Sequence, residues 1–259
     1  IPIVLGANIG TTLSVQLISF KIGKYCFAAI AIGFLSSKIF KREVLIQAGI
    51  ALFGFGMLFL GMDVMSKAID PLKKIDSSII QQYVHWISGE TIMGMIIGII
   101  FWSLFTGLIQ SSGATLAICI TLCKQGIFLT FDDLFPCLLG AHIGTCVTAA
   151  LGSLGANFRA KRMALAHFVF NIFSTVLACA LFVVYKKTMP LLSEDLVRQA
   201  ANANTAIQLS AALLILPVAK PYARFIKKVA PFKKDGGQKS FLDPNLLDTP
   251  EMAIVAVIK

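Results

Sequence analysis

The sequence has few charged residues. Asp, Glu, Lys and Arg make up 14% of its 259 residues, against about a quarter of a typical soluble domain. Hydrophobic residues make up 57%, so the chain lacks the polar side chains that would cover a soluble fold. This composition excludes a disordered chain and, despite a net charge of +10, a nucleic-acid-binding domain. We therefore predict an integral membrane protein.

Asp, Glu, Lys and Arg are missing altogether from residues 1–20, 25–37, 44–62, 91–123, 134–158, 163–185 and 199–219. A helix needs about 20 apolar residues to cross a bilayer, and most of these stretches are long enough. Residues 25–37 suffice only if the flanking lysines extend to the membrane surface, whereas residues 91–123 hold either two crossings or one crossing and a re-entrant half-helix. The runs do not alternate, which excludes an outer-membrane β-barrel. The predicted fold is an all-α polytopic helical bundle.

The six cysteines lie mostly inside apolar stretches. We interpret them as small buried side chains. Their spacing predicts no disulfide framework, and no further ligands stand near them to complete a metal site. No cofactor is expected.

Basic residues cluster in residues 38–42, in residues 159–162 and in the tail from Lys220. Because short basic loops stay in the cytoplasm, we predict a multi-pass protein of the plasma (bacterial inner) membrane with a cytoplasmic tail. An even number of crossings then separates these segments, which requires two crossings within residues 91–123. The exception is Lys67, Lys73 and Lys74, which fall on a predicted outer loop.

An eleven-residue motif occurs twice. Residues 2–12 (PIVLGANIGTT) return as residues 136–146 (PCLLGAHIGTC), with seven identities. Such repeats are typical of secondary transporters, whose substrate binds where the repeats meet. When the membrane crossings are counted back from the cytoplasmic tail, the two copies run in opposite directions. The repeats are therefore predicted to be inverted. The second begins near Leu52, which places the start of the first about 80 residues upstream of Ile1.

A polar motif, Gln110-Ser111-Ser112, lies within the longest uncharged stretch and is flanked by glycines. Polar side chains at this depth are costly unless they are paired, and the glycines allow the helix to break. The N–H groups that a break exposes suit an oxyanion, and the freed carbonyls suit Na⁺. The alternative is a packing face whose hydroxyls bond back to backbone carbonyls.

The two Gly-Ala-x-Ile-Gly-Thr motifs are predicted to form a second polar break in each repeat, broken helices being typical of such transporters. Their Gly-x-x-x-Gly spacing could equally form a helix-packing face. Asn8 of the first copy is replaced by His142 in the second. A histidine in an apolar helix can bind a ligand or simply pack with a hydrogen-bonded partner, and this choice stays open for His142 and His167. His85 is predicted to lie in an interfacial loop.

These motifs resemble those of the bacterial sodium–phosphate cotransporters, relatives of the animal type II cotransporters. The resemblance rests on the Gln-Ser-Ser element, the Gly-Ala-x-Ile-Gly-Thr motifs and residues 166–171 (AHFVFN). Residues 241–250 resemble the linker that joins the family's transport unit to a soluble PhoU-like helical domain. The resemblance implies three segments: the end of a first repeat (1–43), a second repeat with further helices (44–219) and a basic tail (220–259).

The resemblance also implies which residues bind phosphate and Na⁺. In the family the Gln-Ser-Ser elements line these sites, which here implicates Gln110, Ser111, Ser112 and Thr115. The other implicated residues, with His142 added for its place in the motif, are Asn8, Thr11, Thr12, Thr145 and Asn171. The chain departs from the family pattern at Gly113, His142, Cys146 and residues 204–208.

The function expected from these features is sodium-coupled symport of inorganic phosphate rather than an enzymatic activity. Residues 91–123 contain no Lys or Arg, so bound Na⁺ would have to offset the charge of phosphate. Alternatives are export, another oxyanion, or a phosphate sensor acting through the tail. A lipid phosphatase is disfavoured because no catalytic His or Arg cluster occurs. Expected partners are phosphate, Na⁺, the bilayer, a PhoU-like domain in cis and possible further copies of the chain, but no nucleic acid.

Overall fold

The fold was analysed in a computed structural model, which describes residues 1–20, 23–71 and 77–230. The predicted outer-loop residues Lys73 and Lys74 lie outside the described residues, as do the end of the basic tail and the linker-like residues 241–250. The division of the chain at residues 43 and 219 stays a prediction.

The described part of the chain is helical apart from short connections, and no strand occurs in it. A single 3₁₀ turn at Gly23–Tyr25 precedes α2. The helices are α1 (Pro2–Ser19), α2 (Cys26–Ile39), α3 (Glu43–Ile69), α4 (Ser77–Trp86), α5 (Ile92–Ile109), α6 (Ser112–Lys124), α7 (Phe131–Ser153), α8 (Phe158–Ala180), α9 (Phe182–Leu192), α10 (Leu196–Ile215) and α11 (Ala219–Val229).

Among the described residues, five helices are long and apolar enough to cross a membrane: α1, α3, α5, α7 and α8. Taken together, α10 and α11 make a sixth candidate, bent by 88° between them. The prediction of an all-α polytopic membrane protein is therefore confirmed. The prediction for His85 was wrong, because it lies in the last turn of α4, with Nδ1 2.9 Å from Oε2 of Glu90.

Residues 91–123 fold back on themselves as a helical hairpin. The hydroxyl of Thr106, near the end of α5, lies 3.0 Å from the hydroxyl of Thr115, one turn into α6. In a continuous helix these residues would be about 13 Å apart along the axis. A hairpin returns the chain to the side it came from, whether its tip crosses the bilayer or stops inside it. The even count of crossings therefore does not depend on the 13-residue length of α6.

The two copies of the eleven-residue motif run in opposite directions. Gln16, near the end of α1, bonds to the carbonyl of Ala201 early in α10, while Val4 packs in a cluster with Ala212 near its end. Helix α1 is thus antiparallel to α10. Helix α8 is also antiparallel to α10. Phe170, in the first half of α8, packs in the same cluster as Ala212, whereas Ala178, near the end of α8, packs in the main core cluster with Ala201. Because α7 is antiparallel to α8, it opposes α1, and the predicted inversion is confirmed.

The glycines of the second motif pack α7 closely against α5, and the two helices run parallel. A Cβ on Gly140 would lie 2.9 Å from the carbonyl oxygen of Ile99, and one on Gly144 would lie 2.6 Å from that of Ser103 and overlap Thr106. The predicted helix break at this motif was wrong, because α1 and α7 are continuous. The packing alternative explains the second copy of the motif, since only glycine allows this approach.

In the first copy, the equivalent glycines Gly6 and Gly10 have open space around them. No atom of the described residues would lie within 4 Å of a Cβ at either position. The side of α1 that corresponds to the α5-packing side of α7 therefore carries no helix from the part of the chain that the structure describes.

We expect Gly144→Ala to destabilise the fold, although alanine is the better helix former. Its methyl group would overlap Thr106 and force α5 and α7 apart, a change that costs about 1–3 kcal/mol in close-packed interiors. Unfolding in detergent, by heat or by added dodecyl sulfate, measures the effect. Gly152→Ala on the same helix is the matched control, because open space surrounds it. Equal stability of the two variants would contradict the close α5–α7 contact.

Candidate substrate and ion sites

The hairpin turns at the Gln-Ser-Ser motif. Gln110 ends α5 in the left-handed region, at φ 58° and ψ 24°, and its N–H donates to the carbonyl of Thr106 at 2.7 Å. Ser111 caps α6, its hydroxyl accepting a bond from the N–H of Ala114 at 3.2 Å. The predicted break at this motif is confirmed. The first N–H groups of α6 have no carbonyl partner in their own helix, and they lie at the tip with the positive end of the helix dipole.

Two threonines behind the tip hold it in place. Thr115 is fully buried; its hydroxyl donates to the carbonyl of Ser111 at 3.3 Å and contacts the hydroxyl of Thr106. On the neighbouring helix, Thr148 donates to the carbonyl of Gln110 at 3.5 Å. The polar groups nearest the break are thus paired to the backbone, while the side chains of Gln110 and Ser111 are exposed.

A cavity of about 380 Å³ opens beside the tip, between α3 and the start of α6. Its walls include Ser111, Gly113 and Ala114 from the tip and Met62 from α3, and none of the described residues that line it is charged. The tip therefore offers N–H groups and the hydroxyl of Ser111 to this space, with Gln110 and Ser112 adjacent in the chain, but no ammonium or guanidinium.

A second group of polar side chains lies in the helix core. His142 is buried, and its Nε2 is 2.7 Å from Oδ1 of Asn204. The amide nitrogen of Gln208 is 2.6 Å from its Nδ1. A neutral imidazole with its proton on Nε2 satisfies both contacts, donating to Asn204 and accepting from Gln208. His142 thus joins α7 to α10.

The same group extends to α8 and α1. Nε2 of His167 lies 3.3 Å from Oδ1 of Asn8. The amide of Asn171 donates to the sulfur of Cys146 at 3.4 Å and to the carbonyl of His167 at 3.1 Å. We call these seven side chains the polar cluster: Asn8, His142, Cys146, His167, Asn171, Asn204 and Gln208.

The polar cluster and the turn of α8 beside it contain buried oxygens that have no hydrogen-bond partner among the described residues. They are Oδ1 of Asn171, Oγ of Ser174, Oγ1 of Thr175 and Oε1 of Gln208. Three of them share one face of α8, at positions i, i+3 and i+4. A buried acceptor without a partner costs about 1–3 kcal/mol, and oxygens are the ligands that hard cations prefer.

The structure divides the predicted site residues into two groups. Gln110, Ser111, Ser112 and Thr115 form the tip, whereas Asn8, His142 and Asn171 belong to the polar cluster. Thr148 contacts the tip and lies six residues from His142, or about 9 Å along α7, so the groups are neighbours. The remaining predicted residues, which bond back to carbonyls of their own helices, are Thr11, Thr12 and Thr145.

Several contributors were not predicted from the sequence. Asn204 and Gln208 were noted only as departures from the family pattern, yet they hold both nitrogens of His142. Their i, i+4 spacing in an apolar helix was the available signal. Thr106 and Ser174 carried no signal, because a single hydroxyl in an apolar run is usually bonded to its own helix.

Comparison with known proteins agrees with these features. The sequence profile of the family described as Na⁺/Pi-cotransporter matches residues 1–67 and 69–193. The chain is 27% identical over 233 residues to YqeW of Bacillus subtilis (strain 168), an uncharacterized protein, covering 90% of this chain and 73% of that protein. It is also 27% identical over 258 residues to YjbB of Escherichia coli (strain K12), which is named as a putative inorganic phosphate export protein.

The chain spans 46% of the length of YjbB, and the alignment covers 97% of the chain. No solved structure matches it. The hairpin at Gln-Ser-Ser, the inverted motifs and the family profile over most of the sequence all agree: the chain belongs to the Na⁺/Pi-cotransporter family.

Proposed function

We propose that the protein moves inorganic phosphate across the plasma membrane with Na⁺ as the coupling ion, and that phosphate binds at the hairpin tip. The supporting observation is the tip itself, where the N-terminus of α6 and its capping Ser111 face an uncharged cavity. A helix N-terminus with free N–H groups suits an oxyanion. Gln110 and Ser112 add a carboxamide and a hydroxyl as further donors.

Coupling to Na⁺ follows from the charge of this site. Phosphate carries close to two negative charges near neutral pH, and no basic side chain lines the cavity. Hydrogen bonds and one helix dipole, equivalent to about half a charge, do not offset a dianion in a medium of low dielectric constant. Bound Na⁺ supplies the missing charge, so phosphate and Na⁺ bind together or not at all.

We place one Na⁺ at the buried oxygens of α8. Asn171 is held by the bond from its amide nitrogen to Cys146, which leaves Oδ1 as a fixed acceptor. Ser174 and Thr175 supply hydroxyl oxygens on the same face, and Gln208 supplies another carboxamide oxygen from α10. No acidic residue is needed, because the anion at the tip balances the cation.

The repeat supports a site built from two tips. Gly140 and Gly144 place α5 and its tip against α7, while the equivalent Gly6 and Gly10 on α1 face open space. We propose that a second hairpin like α5–α6 packs on this side of α1 and brings another Gln-Ser-Ser element to the phosphate. The PhoU-like domain and a homo-oligomer stay predictions.

Export is the second candidate, and the name of the similar protein YjbB favours it. An inward Na⁺ gradient drives import in a symporter, whereas export by the same site would run on the gradient of phosphate. Uptake and efflux from one proteoliposome preparation, with the Na⁺ gradient set in either direction, distinguish the two. The cytoplasmic placement of the tail belongs to this proposal and rests on its basic residues.

The first experiment is phosphate flux in proteoliposomes that contain the complete gene product, with an inward gradient of Na⁺ or of K⁺. We expect flux only with Na⁺, and Gln110→Gly should lower it about ten- to a hundredfold, since a hydrogen bond to a charged group contributes about 1.5–3 kcal/mol. Glycine adopts the left-handed backbone conformation without strain, so the drop in flux measures the contribution of the Gln110 carboxamide.

Ser112→Ala should weaken phosphate binding about tenfold, corresponding to one hydrogen bond to a charged group. Ser103→Ala on the same hairpin is its control, because the Ser103 hydroxyl donates to its own helix at Ile99. Equal losses at Ser103 and Ser112 would favour the packing alternative. A phosphate flux that does not depend on Na⁺ would overturn the coupling.

Asn171→Ala should raise the Na⁺ concentration for half-maximal flux about tenfold, because a cation loses a buried ligand. The phosphate dependence measured at saturating Na⁺ should change little. Thr188→Ala is the control, as its exposed hydroxyl bonds to its own helix at Val184. A change in the phosphate dependence at saturating Na⁺, with no change in the Na⁺ dependence, would place Asn171 at the anion rather than at the cation.

His142→Asn should flatten the pH dependence of transport, because the imidazole can take up a proton as the pH falls and the asparagine amide cannot. A protonated ring would turn an N–H toward the amide of Gln208 and add positive charge near the proposed Na⁺ site, so acid should slow the wild type. His167 and Cys146 are the other titratable members of the polar cluster. Rates are compared per phosphate dianion, with His85→Asn as control. Superimposable curves for wild type and His142→Asn would make His142 a packing residue.

A further inference from the structure

Helix α11 runs at nearly a right angle to α10, with a bend of 88° between them. Helix α10 has 20 residues, the length that crosses a bilayer, and when α10 crosses, the bend sets α11 along the membrane surface. Its 11 residues span about 16 Å, too little to cross a hydrocarbon core of about 30 Å. Its position is therefore decided at the interface between lipid and water.

The faces of α11 differ in character. At 100° per residue, Tyr222, Phe225, Ile226 and Val229 fall on one side, and the opposite side carries Lys220, Arg224, Lys227 and Lys228. Tyr222 and Ile226 are buried against the bundle, but Phe225 is 52% and Val229 51% exposed. Part of the apolar side thus has no protein partner among the described residues.

Two hydrogen bonds fix α11 to the first turns of α8. The hydroxyl of Tyr222 donates to the carbonyl of Ala166 at 2.6 Å, and Nε of Arg162 donates to the carbonyl of Ala230 at 3.1 Å. The orientation of α11 is therefore set by the bundle. Arg159 is exposed at the same end of α8, which extends the basic surface beyond the helix itself.

We propose that α11 is an interfacial helix that binds anionic phospholipids. Phenylalanine and valine at its free apolar edge enter the acyl region, and the four cations of the opposite side bind lipid phosphates. Both features suit a bilayer with anionic headgroups, whereas a soluble protein partner would explain the basic side but not the exposed Phe225 and Val229 beside a transmembrane bundle. None of the four cations forms an ion pair within the part of the chain that the structure describes.

This binding would fix the depth of α10 and of the start of α8 in the membrane. Both helices carry residues of the polar cluster, so bound lipid would hold the core of the protein at one position relative to the surface. The inference rests on the membrane location of the chain and not on its substrate.

The test is amide hydrogen exchange, followed by mass spectrometry, of the protein in lipid nanodiscs. One preparation contains phosphatidylcholine alone and the other includes phosphatidylglycerol. We expect the amides of α11 to exchange about tenfold more slowly in the anionic discs, because each basic residue near such a surface adds attraction, while the amides of α4 exchange equally in both. Replacing Lys220, Arg224, Lys227 and Lys228 with glutamine should remove the difference.

Replacing Lys38, Lys41 and Arg42 with glutamine is the matched control, since it removes three cations from the other basic loop and should leave the difference intact. Phe225→Ser should speed exchange of α11 in both lipids. Equal exchange of wild-type α11 in the two kinds of disc would overturn the proposal. The proposal would also be overturned if the variant with all four glutamines still exchanged more slowly in anionic discs. The same holds if Phe225→Ser left the exchange rate of α11 unchanged.

Discussion

The structure depends on satisfying the backbone where the longest apolar stretch breaks. Within a bilayer every exposed N–H and C=O group needs a partner, and a left-handed Gln110 removes the helical ones. The N–H of Gln110 makes the last helical bond of α5, to Thr106, and beyond it the chain supplies the cap from Ser111 and the bond from Thr148 to the Gln110 carbonyl. Because the break is stabilised in this way, the following helix can fold back, and the first N–H groups of α6 stay available at the tip.

The close packing of α7 against α5 links the hairpin tip to the polar cluster in the helix core. Gly140 and Gly144 let the backbones of two parallel helices approach, which fixes the rotation of α7 about its axis. His142 then contacts α10, and Cys146 contacts α8. The polar cluster is thus a consequence of glycine packing, and the buried oxygens that find no partner among the described residues lie on α8 and α10.

Charge is separated along the bundle. The tip and the polar cluster contain only neutral groups, apart from the titratable His142, His167 and Cys146, whereas α11 and the first turn of α8 carry several cations. This division suits the proposed transport, because a fixed cation beside the tip would bind phosphate tightly and slow its release. At the membrane surface, in contrast, the proposed lipid headgroups would not have to be released.

The sequence alone determined the membrane class, most of the transmembrane helices, the break at Gln110-Ser111-Ser112 and the inverted orientation of the repeats. These features follow from local composition and from counting crossings, which need no tertiary information. Sequence reasoning was wrong about the glycine motifs, because Gly-x-x-x-Gly permits either a break or a close contact, and only the presence of α5 decides between them. It gave Asn204 and Gln208 no role, and it left the roles of His142 and His167 open. Whether a polar side chain in an apolar helix bonds to its own backbone, as Thr11 does, or to another helix, as His142 does, depends on the rotation of each helix about its axis. That rotation is set by packing between residues far apart in the chain, so only the tertiary structure could decide it.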